Sequence, residues 1–308
     1  MAYADEIFRL CLLADMQVIE VTALQEKPIT ISSRPTYGAM PQSPAIPPSP
    51  ALAFTVSPAV GQTGEPTVAL FAAGLLPGRY AEIYGGRVPG ALEIVAVDTR
   101  TGEIYHNGAE RGHSAPISAV MHPAPQPSKP GQATVDSIEV YFAVDLRAQL
   151  QLPSWSSQYS VFLWLDEMTS AARQVELPGP PPDNVPSSAS PSTIAFSLVM
   201  GPPTTAPTEI ALRESGGRLA GEIGSDLLSQ PARYLSLVAL DYRSRAFTGR
   251  SFELPAGYPP QGSNVSFQVV CSELFAGPGW LDAPRGPRSV FVLAALGGAL
   301  SRALVLTA

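Results

Sequence analysis

An apolar run closed by Asp-x-Arg occurs twice in this chain, and it constrains the fold more tightly than any other feature. Leu92-Glu93-Ile94-Val95-Ala96-Val97-Asp98-Thr99-Arg100 returns as Leu235-Ser236-Leu237-Val238-Ala239-Leu240-Asp241-Tyr242-Arg243. A short apolar run followed by Asp and turn-forming residues reads as a strand entering a tight turn. Other segments repeat in the same order. Ile194–Leu198 matches Leu52–Val56, and Ile210-Ala211-Leu212 matches Val68-Ala69-Leu70. Val265, Phe267, Val269 and Cys271 match Ile138, Val140, Phe142 and Val144, each set with the period of two that marks a half-buried strand. Ser289-Val290-Phe291 matches Ser160-Val161-Phe162, which sets Arg302 on Arg173. Matches in one order with apolar positions in phase identify an internal duplication. Two copies are too few for a solenoid, so each copy is a complete domain.

The many short apolar runs are separated by turn residues, with 33 prolines and 26 glycines in 308 residues. This pattern predicts an all-β chain of two tandem antiparallel β-sandwich domains with a short N-terminal helix/strand segment. Immunoglobulin-like, fibronectin-like and jelly-roll arrangements all fit; the immunoglobulin Cys…Trp…Cys spacing is absent. The expected divisions are an N-terminal segment and Pro-rich linker over 1–44, a first sandwich over 45–177, a Pro-rich linker over 178–190 and a second sandwich over 191–308. Pro178-Gly179-Pro180-Pro181-Pro182 is expected to hold the sandwiches apart as a stiff spacer. Residues 32–50 read as an extended linker, and Tyr80–Tyr84 as a third strand of the first copy. The segment before residue 45 either packs back onto a domain or docks onto another protein.

The usual catalytic signatures are missing: no G-x-S-x-G elbow, phosphate-binding loop, H-E-x-x-H or C-x-x-C occurs. Gly85-Gly86-Arg87-Val88-Pro89-Gly90 reads as a turn. The Asp-x-Arg pairs read as turn-fixing groups because they recur at a turn. One cluster has the right chemistry for a metal. His106, His113 and His122 all fall in one stretch of the first copy, with Glu103 and Glu110 among them. Imidazole and carboxylate are ligands for zinc or ferrous iron. Asn264-Val265-Ser266 has the glycosylation pattern but falls in a predicted strand. Cys11 and Cys271 are the only cysteines, so no disulfide framework is expected.

A net charge of −7 disfavours non-specific nucleic-acid binding. No stretch reads as a secretory signal or membrane span, which places the chain in the cytoplasm by default. The expectation is a non-enzymatic structural or protein-interaction protein without cofactor, self-assembly being one form of this, whose partner is a protein or a second copy. The alternatives are a metal-dependent enzyme using the three histidines and a carbohydrate-binding or adhesive pair of modules.

Overall fold

The computed structural model describes residues 29–32, 36–84, 91–108, 120–123, 135–181, 197–201, 208–228, 234–254, 264–274 and 289–307. In chain order the first half forms β1 (Ile29–Thr30), β2 (Thr36–Tyr37), β3 (Ala51–Val60), β4 (Pro66–Pro77), α1 (Arg79–Tyr84), β5 (Glu93–Asp98) and β6 (Ile104–Gly108). It continues with β7 (Val120–Pro123), β8 (Val135–Asp145), α2 (Leu146–Leu150), β9 (Ser157–Leu165), β10 (Met168–Thr169) and β11 (Arg173–Leu177). The second half forms β12 (Ser197–Gly201), β13 (Ile210–Ser215), β14 (Arg218–Ile223), α3 (Ser225–Leu228), β15 (Tyr234–Asp241) and β16 (Phe247–Glu253). It ends with β17 (Asn264–Val270), α4 (Cys271–Leu274), β18 (Ser289–Leu296), β19 (Ala299–Leu300) and β20 (Leu304–Thr307).

Each half is a sandwich of two sheets, as the sequence predicts. The first has an outer sheet of order β1-β3-β4-β8-β2, with β7 also on β8, and an inner sheet β10-β9-β5-β6, with β11 also on β9. Phe54, Leu70, Ile94, Val140, Phe142, Tyr159 and Val161 fill the space between them. The second has an outer sheet β12-β17-β14-β13 and an inner sheet β16-β15-β18-β19, with β20 on β18. Leu219, Leu237, Phe252, Phe267, Val269 and Val292 form its core.

The pairings confirm the duplication and correct its matches in three places; one is that Ile210–Leu212 lies in β13, the counterpart of β3, whereas Val68–Leu70 lies in β4. In the outer sheets, β13 and β14 occupy the places of β3 and β4, each pair antiparallel and followed by a short helix. The strand β12, which flanks β17, therefore takes the place of β2 beside β8, not that of β3. In the inner sheets Asp98 lies opposite Tyr159, whereas Asp241 lies opposite Val290. Ser170 bonds Leu163 as Ser301 bonds Ala294. Ser160 thus corresponds to Phe291, and Arg302 to Ala171 rather than Arg173, a slip of two residues from the sequence match. A shift of two leaves every side chain on its original face, so alternation cannot detect it; only a shift of one would.

Residues 80–84 are helical rather than extended. Tyr80 and Tyr84 stand one helical turn apart and stack at 6.0 Å between ring centroids. Cys271 opens α4, whereas Val144 stays within β8. Residues 36–43 are not a free linker. Together with residues 29–32 they form a strap on the first outer sheet. β1 adds in parallel to the β3 edge, and β2 adds to β8. Ile29, Ile31 and Met40 pack on Ala59, Ala69, Phe71 and Ala143 on the sheet's outer face. Of the two expected roles for the N-terminal segment, packing back onto a domain is the one residues 29–32 and 36–43 adopt; residues 1–28 and 33–35 lie outside the described residues.

Candidate functional site

The sandwiches are not held apart. The outward faces of the two inner sheets meet in a third apolar core of Val95, Phe162 and Trp164 against Val238, Leu240, Phe291, Leu293 and Ala295. The fold is therefore a stack of four sheets: outer, inner, inner, outer. Proline stiffness in residues 178–181 is outweighed because separation would expose this core, and burying each large apolar side chain stabilises by about 1.5–3 kcal/mol. The sequence carried a signal for the seam. The runs Ile94–Val97, Val161–Leu165, Leu237–Leu240 and Val290–Leu296 are apolar without alternation, as strands buried on both faces must be.

Contacts across the seam are reciprocal. Ile104 and Phe247 hold the same place in β6 and β16, as do His106 and Gly249, by their partners in β5 and β15. Ile104 packs on Gly249, while His106 stacks on Phe247 at 3.8 Å between centroids. Gly102 meets Tyr234, and its counterpart Arg245 meets the Ala91 carbonyl. This exchange is the signature of a two-fold interface, here joining two copies within one chain. The pseudo-axis enters between β6 and β16 and leaves between the β10 and β19 segments.

The Asp-x-Arg turns build the two sides of this seam. Asp98 Oδ1 accepts from the N–H groups of Arg100 (2.8 Å) and Thr101 (3.0 Å); Asp241 Oδ1 accepts from Arg243 (2.9 Å) and Ser244 (2.7 Å). The aspartates fix the turns, as expected, with the backbone N–H groups of Arg100 and Arg243 among their donors. At the fourth turn residue the chain is left-handed in both copies, with Gly102 at φ 73° and Arg245 at φ 56°. A Cβ on Gly102 would lie 2.6 Å from the Tyr234 ring. In the second copy that position is open, and Arg245 uses it to reach across.

Arg245 Nη1 pairs with Asp166 Oδ1 at 2.8 Å, and its Nη2 donates to the Ala91 carbonyl. Asp166 is itself left-handed (φ 51°), and its counterpart is Gly297. Tyr84 Oη donates to both Asp166 oxygens at 2.9 and 2.7 Å, and Trp164 Nε1 donates to the Asp166 carbonyl at 2.6 Å. Burial first, then the hydrogen bond to Asp166 and its negative charge, push the Tyr84 hydroxyl far above the usual tyrosine range. Burial followed by the Asp166 charge lifts Tyr80 to about 12. At the opposite position of the seam, Ser160 Oγ donates to the Gly297 carbonyl. One end of the pseudo-symmetric interface is thus pinned by an ion pair and the other by close backbone approach.

Of the three histidines, His106 lies in β6, with Nδ1 3.8 Å from the buried Glu93 Oε2. His122 lies in β7 of the outer sheet, and His113 lies outside the described residues. Among the described residues no three His, Cys, Asp or Glu side chains converge as a metal site. Glu103 accepts from Tyr105 Oη at 2.6 Å; Glu110 and the Gly85–Gly90 turn lie outside the described residues. Trp155 sits in the loop before β9, and Trp164 is core of the seam rather than of a sandwich. Cys271 is a free thiol whose pKa burial raises, with a further contribution from Glu214. No helix of the described residues is long and apolar enough to cross a membrane.

No protein-family model and no curated protein matches the chain. Among solved structures it is similar to a segment of two fibronectin type III domains from chicken tenascin. That match is 11% identical with a TM-score of 0.17, over 84% of this chain and 98% of that one. A second is the Fcho1 Mu homology domain of Danio rerio with bound Eps15 peptide, 13% identical with a TM-score of 0.12, over 83% and 86%. Superpositions this loose carry no argument, so the class rests on the sheet order itself: a duplicated antiparallel β-sandwich protein.

Proposed function

We propose that the chain is a non-enzymatic structural or protein-interaction protein that self-assembles through sheet edges, with its sandwiches locked by the seam into one rigid unit. The observation that carries this reading is the state of the edges. In the first sandwich, β1 and β2 lie along the outer sheet's edge strands. In the second, Val199 on β12 is 61% exposed and Val305 on β20 is 50% exposed, each on a strand that among the described residues is paired along one side only. Unpaired strand edges with exposed β-branched residues are templates for pairing with another chain. A cytoplasmic location belongs to the same proposal and is tested by fractionation.

Size-exclusion chromatography with light scattering provides the test, paired with cross-linking of the full-length chain in its host extract. Assembly or capture of a protein partner, lost in Val199→Lys or Val305→Lys, is the expected result. A chain that stays monomeric at all concentrations and cross-links to nothing overturns the reading.

The metal-dependent alternative retains one observation, the facing pair of Glu93 and His106, whose Oε2 and Nδ1 lack a hydrogen-bond partner among the described residues. Metal analysis of untagged protein decides it: stoichiometric zinc or iron that His106→Ala removes supports the site at His106, His113 and His122, and metal below a tenth of an equivalent, roughly the level a tight site would exceed, ends it.

A further inference from the structure

Where the pseudo-axis leaves the seam, equivalent pieces of the two inner sheets flank a groove of about 740 Å³. Its walls are residues 167–172 of the first sandwich and 298, 300–303 of the second, with Pro50 and Ala51 at the rim. This volume falls within the usual range of ligand sites, about 300–1,000 Å³.

Both walls are bulged edge strands. After β10 the partner strand of β9 leaves the ladder over residues 170–172 and resumes at β11; after β19 the partner of β18 leaves it over 301–303 and resumes at β20. At each bulge a serine side chain replaces a main-chain acceptor. Ser170 Oγ accepts from the Leu163 N–H, and Ser301 Oγ accepts from the Ala294 N–H, both at 2.9 Å. The next residues, Ala171 and Arg302, are exposed; their carbonyls accept from the Ser170 and Ser301 hydroxyls at 3.0 Å, while their N–H groups lie outside the ladder. Ala172, Leu300 and Ala303 close the base of the groove against the seam core.

The groove also has a charge imbalance. Glu167 is engaged by Arg79. Among the described residues no carboxylate pairs with the Arg302 guanidinium, which lines the opposite wall. One side therefore offers an uncommitted cation beside main-chain N–H groups that lie outside the ladder.

We infer that this groove binds an extended peptide segment of a partner protein, adding along a bulged edge while a carboxylate side chain of the peptide pairs with Arg302. Main-chain pairing supplies affinity in strand addition, and a bidentate Arg–carboxylate contact sets register and specificity. Lysine would not reproduce the fork. The inference rests on the interaction reading above but uses the opposite end of the molecule from Val199.

The test is selection of random peptides displayed on phage against the full-length chain, followed by fluorescence anisotropy with the enriched peptides synthesised. The expected outcome is enrichment of peptides with an Asp or Glu in an extended, β-branched context. Arg302→Glu should weaken binding at least about tenfold, the size of losing a charge-assisted contact, and should restore it for peptides carrying Lys at the acidic position. Ala171→Trp, an exposed position, should block the groove while circular dichroism stays unchanged. Enrichment without an acidic residue, binding indifferent to both variants, or no enrichment overturns the inference. Assembly that persists and remains sensitive to Val199→Lys in that case leaves the interaction reading standing alone.

Discussion

The two outer sheets share one strand order and present opposite surfaces. On the first, Ala69, Phe71 and Ala143 face outward and are covered by Ile29, Ile31 and Met40 of the strap. On the second, the corresponding face carries Arg213, Arg218, Glu222 and Gln268, with an Arg213–Glu222 contact at 3.9 Å and an Arg218–Gln268 hydrogen bond at 3.1 Å. The inward faces of both sheets supply the apolar cores of their sandwiches. The fold demands one apolar face per sheet, and the other is free to vary with what covers it. The two inner sheets, by contrast, are apolar on both faces, because each covers the other.

Four perturbations test this division, beginning with the seam. Trp164 is fully buried there, and its counterpart is Ala295. Trp164→Ala should cost about 3–5 kcal/mol in urea unfolding. Pairing it with Ala295→Trp should recover part of that loss, and no recovery would mean that the seam is not interchangeable about its axis. Asp166→Ala should cost about 3 kcal/mol by stranding Arg245 at the interface; a loss under half a kilocalorie, about the noise of a surface change, would reduce the ion pair to decoration. A chain beginning at residue 44 should lose about 2 kcal/mol and bind a hydrophobic dye, because Phe71 loses its cover. Arg213→Ala on the second outer sheet should change stability by no more than about 0.5 kcal/mol. Equal effects for these last two would erase the distinction between the outer faces.

A pH titration probes the pinned end of the seam. Tyr80 and Tyr84 have hydroxyls raised above the ordinary value near 10, chiefly by burial and then by Asp166. The folded chain thus holds these protons where the unfolded chain releases them. Stability from these groups is intact below pH 10 and falls as pH rises through 10 toward 12 and beyond. Tyr84→Phe should flatten that decline and also cost stability at neutral pH, since Asp166 loses a donor; an unchanged slope would place the titration elsewhere.

Much of this was legible in the chain. Period-two patterns marked β8 and β17, and the twin Asp-x-Arg turns marked the ends of β5 and β15, because local turn chemistry depends on residues within a few positions. The short helix at Tyr80–Tyr84 was missed because one turn of helix leaves too little periodic signal to separate from a strand. The candidate metal residues were legible only as a cluster in sequence, and the backbone puts His106 and His122 on different sheets. The groove beside Arg302 had no linear signature, since its walls lie far apart in the chain.

The sequence by itself determined the all-β class, the duplication and the turns that close the central strands, since alternation and turn preference act over a few residues. Tertiary structure alone decided the register of the closing strands, the path of the strap and the meeting of the two copies. Register depends on which pairing completes hydrogen bonds that a two-residue slip leaves equally apolar. The seam depends on two surfaces that become complementary only when each sandwich is complete. Its ion pair needed an arginine and an aspartate in left-handed turns of different copies, at positions where the opposite copy has glycine.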